Sequence, residues 1–156
     1  MIPKNKIVEF KKDIIKAQPW CLRCDTVGEF EITTEIRKVT VKGVPVEFEA
    51  IKAYCPHCGD PLFLYEAERV NQIRCFDVYK RKKGLLTSEE IIDIRNKYGL
   101  SQTDLAKAIM VGKKNIARYE AGKIQDKCID LLIRLLDKHP NLFGIKVKEQ
   151  KETKAA

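Results

Sequence analysis

The chain has 156 residues, of which 44% are hydrophobic and 33% charged, and carries a formal net charge of +8. That length suits one ordinary domain or two small ones, and that balance suits a folded soluble chain rather than a disordered one. No apolar run approaches the roughly 20 residues needed to cross a bilayer, which argues against a helical membrane protein. The charge is uneven. Residues 1–75 hold 12 Lys/Arg and 11 Asp/Glu, a net +1, whereas residues 76–156 hold 18 and 11, a net +7. Basic charge gathered in one half of a chain is the electrostatic footprint of a phosphate-binding surface.

In chain order, Ile7, Phe10 and Ile14 recur at spacings of three and four between Lys4 and Gln18, which predicts an amphipathic helix ended by Pro19. Residues 1–19 are thus expected to form a helical extension whose apolar face packs on the following module or on a second chain. The Lys-studded N-terminus has no apolar segment followed by a cleavage site, so no signal peptide is expected and the cytoplasm is the expected compartment. Between Cys21 and Cys58 the period changes to two. Phe30, Ile32 and Thr34 alternate with polar residues, as do Val44, Val46 and Phe48, with a turn at Lys42-Gly43. Glu66 to Lys82 returns to helical spacing through Val70, Ile73, Phe76 and Tyr79. Residues 20–79 therefore read as a β module with a trailing helix. The basic run from Lys80 to Lys83, ending at Gly84, breaks the pattern, so residues 80–86 read as a solvated linker. Residues 87–145 read as an all-helical domain, and the polar, Lys-rich stretch 146–156 as a disordered tail.

Four of the six cysteines form two pairs, Cys21/Cys24 and Cys55/Cys58, each with two residues between, and thirty residues separate the pairs. A reducing cytoplasm disfavours structural disulfides, so paired knuckles there point to a metal. Each knuckle turns two thiolates toward one point, and four sulfurs match the tetrahedral preference of zinc. In Cys55-Pro56-His57-Cys58-Gly59, Pro and Gly favour the tight turn whose amides point back at the sulfurs. One structural zinc per chain is the expectation; local disulfides and a rubredoxin-like iron site are the competing readings. An all-sulfur set leaves no open coordination position, which argues against zinc catalysis. His57 is expected to point outward, and Cys75 and Cys128 to be buried and inert.

The stretch Leu100 to Lys123 carries explicit helix signals. Thr87 with Glu90, and Ser101 with Asp104, fit capping boxes for two successive helices, the first ended by Gly99. The second runs to about Ile109, with Leu105, Ala106 and Ile109 inward. Met110-Val111-Gly112 makes the turn, and small Ala106 lets the next helix cross closely. That helix runs from near Lys113 to Gly122, anchored by Ile116. Its polar residues Lys113, Lys114, Asn115 and Arg118 suit a helix laid in the major groove, where Lys and Arg contact guanine or phosphate and Asn pairs with adenine. Gln102 is placed to bond a backbone phosphate. A last helix, Asp126 to Lys138, carries Ile129, Leu132, Ile133, Leu135 and Leu136, enough for the core and also for a homodimer seam. Nothing resembles a paired-carboxylate, Ser/His/Asp or phosphate-loop catalytic pattern, so no enzyme is expected.

LSQTDLAKAI with NIARYEAGK resembles the Xre/Cro/C1-type helix-turn-helix. Together with the two cysteine knuckles and LLIRLLDKHPNLF, it makes residues 20 to 145 resemble the MqsA antitoxin family. The fold implied is α+β: a small zinc-bound antiparallel β module followed by an all-α, five-helix helix-turn-helix domain. The resemblance further implies a zinc module that docks a toxin, an mRNA-cleaving ribonuclease in that family, and a dimeric repressor of its own operon on a pseudo-palindromic double-stranded DNA operator. It places the family's recognition Arg on Arg118 and puts Lys114 where the family has Asn, with Asn115 one position later. A phage-type or general regulator without a toxin is the competing reading.

Overall fold

The computed structural model describes residues 17–145. The expected helix from Lys4 and the expected tail 146–156 lie outside the described residues, except for the end of the former. The chain divides into two compact units between Tyr79 and Lys80.

The first unit is built on a long hairpin. Strand β3, Glu31–Val41, pairs antiparallel with β4, Val44–Tyr54, in unbroken register from Val41↔Val44 to Glu31↔Tyr54. A two-residue turn joins them. Lys42 and Gly43 both have positive φ, at 45° and 77°, the twist that a right-handed hairpin needs. Short strands β1, Trp20–Cys21, and β2, Thr26–Val27, form a separate ribbon, and β5, Pro61–Leu62, adds to the far end of β4. Val46, Phe48 and Ala50 bury one face of β4, as the alternation predicts. On β3 the outcome differs. Phe30 packs on a cluster of Ala53, Leu64 and Ala67, but Ile32 is 45% exposed and Ile36 59%. The side of β3 that shares a face with Val46 and Phe48 carries Val39 and Arg37 instead.

Helix α1, Tyr65–Lys82, covers that unit. Buried Asn71 seals the outer edge of β4: its Oδ1 accepts from Ile51 N at 2.7 Å and its Nδ2 donates to Ile51 O at 2.9 Å. Arg74 donates to Glu49 O on the same edge, and Arg37 forks onto Glu68 with both contacts at 3.3 Å. Asn71 thus satisfies a strand N–H and C=O that would otherwise be orphaned.

The second unit holds α2 (Ser88–Lys97), α3 (Gln102–Ala108), α4 (Lys113–Glu120), α5 (Lys127–Lys138) and a 3-10 turn, Pro140–Phe143. Five α-helices thus follow the sheets. Both predicted capping boxes are present, Thr87 with Glu90 and Ser101 with Asp104. Leu86, Ile91, Leu105, Ala106, Ile109, Ile116, Ile133 and Leu136 form the core, with Val111 packed against it. The turn after α3 closes through Val111 N donating to Ala106 O at 2.8 Å, with Met110 left-handed at φ 56°.

The stretch read as a solvated linker is largely fixed. Helix α1 runs through Arg81, and Lys80 is fully buried with its Nζ donating to Ser88 Oγ at 2.9 Å. Leu86 is buried too. Its N–H donates to Asp130 Oδ1 at 2.7 Å, and its carbonyl accepts from Gln125 Nε2. Charge run and helix coincide because cations favour the last turn of a helix.

Candidate metal centre and candidate nucleic-acid interface

The four paired cysteines meet. Cys21 stands on β1 and Cys24 in the turn after it, where Asp25 has φ 53°; Cys55 follows the last residue of β4, and Cys58 precedes left-handed Gly59. Gly59 N donates to Cys55 O, and Cys55 N to Asp60 O, each at 2.9 Å, which closes the second knuckle. The Arg23–Asp60 ion pair at 3.1 Å ties one knuckle to the other. The sulfurs all lie within 4.8 Å of one another, with Cys21 and Cys58 3.5 Å apart and Cys24 and Cys55 3.9 Å apart. Bonds of about 2.3 Å to a central tetrahedral ion put sulfurs about 3.8 Å apart, whereas a disulfide needs about 2.0 Å. The spacing fits ligands that share an ion.

The electrostatics favour the same state. Backbone N–H groups of Cys58 and then His57 point at the Cys55 sulfur and hold its thiol down to about 7. The Asp60 amide likewise favours the Cys58 thiolate, but desolvation and the neighbouring sulfurs outweigh it and push that thiol up. Hydrogen bonding to Cys58, with desolvation, pushes Cys24 up to about 12. Four sulfurs this close cannot all carry charge without a cation among them, and a divalent ion supplies it. The cluster can therefore hold one metal ion in a closed sulfur cage. His57 points outward as expected, toward Glu29 at 3.3 Å.

The two remaining cysteines part company. Cys75 is buried, and desolvation raises its thiol. Cys128 is exposed, which overturns the expectation of burial. It sits in the first turn of α5 on the side that also carries exposed Leu131 and Leu135, opposite the core residues Ile133 and Leu136.

On the second unit the predicted interface residues gather on α4 and the start of α3. Lys113, Lys114 and Arg118 are exposed, Asn115 and Gln102 half-buried. Gly112 is the N-cap of α4 and Ile116 its buried anchor. Among the described residues no carboxylate is paired with Lys113, Lys114 or Arg118, while Arg95, Lys97 and Arg134 are bonded to Glu120, Asp137 and Asp130. One network was not anticipated from the sequence. The Glu120 side chain, only 7% exposed, accepts from Arg95 Nε at 2.6 Å and from Gln102 Nε2 at 2.8 Å, while Arg95 also donates to Leu100 O. It locks the end of α4 to α2 and to the first turn of α3. A Glu that follows Tyr119 on an otherwise basic helix was the available signal.

No helix among the described residues is long and apolar enough to cross a membrane. No curated protein matches the chain. Residues 22–146 match the family described as the antitoxin component of bacterial toxin-antitoxin system, MqsA. That span takes in most of the chain, including three of the four clustered cysteines and the whole of α2 to α5. The chain therefore belongs to the MqsA antitoxin family, whose members are non-enzymatic antitoxins with a toxin as partner.

Proposed function

We propose that the chain is a zinc-stabilised antitoxin that binds double-stranded DNA as a homodimer, represses transcription from a pseudo-palindromic operator in the cytoplasm, and docks its toxin through the first unit. The observation that carries the DNA-binding part is the surface of α4, where Lys113, Lys114 and Arg118 are exposed and free of carboxylates. A helix-turn-helix offers such a helix to the major groove. Gln102, oriented by Glu120, and Asn115 complete the predicted contact set.

Zinc is favoured by the ligand set: four thiolates, a closed cage and no open position suit a structural site. Toxin docking is supported by the apolar surface of the first unit, where Trp20, Leu22, Val27, Ile32 and Ile36 are exposed. A homodimer is supported by exposed Leu131 and Leu135 on α5, and two-fold pairs of recognition helices read half-sites about one DNA turn apart.

The test is binding of the purified, zinc-loaded protein to the DNA upstream of its own gene. Affinity should fall steeply with salt, because phosphate contacts release counterions. Arg118→Ala should weaken specific binding by roughly 1–3 kcal/mol. Equal affinity of the wild type for that DNA and for random duplex would refute the repressor reading. Co-purification from the native host, with mass spectrometry of the captured partner, tests the toxin.

A further inference from the structure

Strand β3 is an outer strand of its sheet, where the order is β3-β4-β5. Asn71 on α1 occupies the N–H and C=O of Ile51, on the edge of β4 that faces away from β3. Ile51 stands opposite Thr34, so Thr34 also turns its N–H and C=O away from the pair, toward the open side. Alternation extends this to Ile32, Ile36, Lys38 and Thr40. Pro45, which has no N–H to give, stands opposite Thr40 and agrees with that pattern. All five residues are exposed, and among the described residues no hydrogen bond reaches their main-chain groups. Neither a proline nor a bulge interrupts β3, although these are common devices for blunting an exposed edge.

We infer that this edge pairs with the same edge of a second copy of the chain, antiparallel, about a two-fold axis through Ile36. The inference does not rest on the DNA reading, and the contact is distinct from the seam on α5. The sequence of β3 is complementary to itself in this register. Ile36 meets the partner's Ile36 in a hydrogen-bonded pair, Thr34 meets the partner's Lys38, and Ile32 the partner's Thr40. Glu35 stands opposite the partner's Arg37, and Arg37 opposite the partner's Glu35, in the closer pairs between. Opposite charges attract there and like charges repel. Centring on Glu35, Arg37 or Lys38 instead sets that residue against its own like charge. Centring on Thr34 leaves Lys38–Val41 with no strand opposite, and centres nearer either end pair still less of β3. Ile32 and Ile36 are among the apolar side chains offered to a toxin, so a toxin that covers them displaces the second copy.

The experiment uses the full-length, zinc-loaded protein with Cys128→Ser as background, since Cys128 is otherwise an exposed thiol. Ile36→Cys should cross-link to itself under mild oxidation, because hydrogen-bonded antiparallel neighbours hold their Cα atoms about 5.5 Å apart, within disulfide reach. Ile32→Cys should not, since its counterpart then lies about 27 Å along the strand. Mixed with Thr40→Cys, it should. In sedimentation equilibrium, Ile36→Lys and Ile36→Glu should each show about half the mass of the background protein, and their mixture should regain it. Amide exchange at Thr34 and Lys38 should be slow in the background protein and fast in Ile36→Lys. Ile36 is 59% exposed, so these changes spare the core, and circular dichroism checks that each variant is folded. Linking of Ile32→Cys to Ile36→Cys, with none of Ile36→Cys to itself, assigns the Thr34 register and overturns the inference. Equal mass for the background protein and Ile36→Lys overturns it too. So does slow exchange that persists in Ile36→Lys, which means that β3 is paired within its own chain. Each of these outcomes leaves the repressor reading standing.

Discussion

Glu120 shows how much one carboxylate can organise. It receives Arg95 from α2 and Gln102 from α3, so three helices meet on two oxygen atoms. Removing it strands a guanidinium whose side chain is only 18% exposed. Breaking a buried pair from one side leaves an uncompensated charge, so Glu120→Ala is expected to cost about 3 kcal/mol. Urea unfolding followed at 222 nm measures it, and a loss below about 1 kcal/mol would show that solvent already screens the pair. Legibility at this scale was uneven. The capping residues Thr87, Glu90, Ser101 and Asp104 act on their own helix, so their roles follow from spacing of three. Arg95 and Glu120 are 25 residues apart, and only packing of α2 on α4 makes them neighbours. Cys128 failed for a related reason: cysteine usually packs inside, but the face of α5 that carries it turns away from Ile133 and Leu136.

Among the elements, the hairpin and α1 show what periodicity can and cannot see. The turn at Lys42-Gly43 and the burial of Val46 and Phe48 follow from turn chemistry and alternation. The side of β3 that faces inward does not, because Ile32 reads as a core residue and Arg37 does not, yet register with β4 places Arg37 opposite Phe48 and over α1. The helix then supplies a polar face where one was not expected. Asn71 is the buried part of that face, and its amide stands in for a neighbouring strand at Ile51. Asn71→Leu keeps the volume but leaves a strand N–H and C=O without partners. Each orphaned buried group costs about 1–3 kcal/mol, so the first unit should lose at least about 2 kcal/mol. Hydrogen exchange at the Ile51 amide is the direct readout, and unchanged protection there would contradict the edge-sealing role.

For the molecule as a whole, the two units rest on different physics. The second has a contiguous apolar core from Leu86 to Leu136 in sequence. The first spreads its burial over a long hairpin, leaves several large apolar side chains in solvent, and gathers four thiols at one end. A module of that size needs a staple, and a bound structural ion contributes on the order of 10 kcal/mol. Chelation should therefore abolish the near-ultraviolet signal of Trp20, the sole tryptophan, whose Nε1 donates to Asp25 within the first knuckle. The helical signal of the second unit should survive. Loss of both signals together would mean that the second unit does not stand alone. The two units themselves were legible from the charge imbalance and the change of period. The start of the second unit was not, because a run of lysines looks the same in sequence whether it is solvated or anchored.

That anchored stretch at the start of the second unit alters how the chain meets a protease. The bonds after Lys80, Arg81, Lys82 and Lys83 make it the densest target for trypsin in the described chain. A protease needs several residues drawn out as an extended strand, and here Lys80 O holds both Lys83 N and Leu85 N, while Gly84 O is held by Arg134. Cutting must wait for Lys80 to leave its site beside Ser88 and for Leu86 to leave Asp130. Where reclosing is fast, cleavage follows the population of the opened form, so the rate of nicking becomes a gauge of how firmly residues 80–86 are held to their own unit.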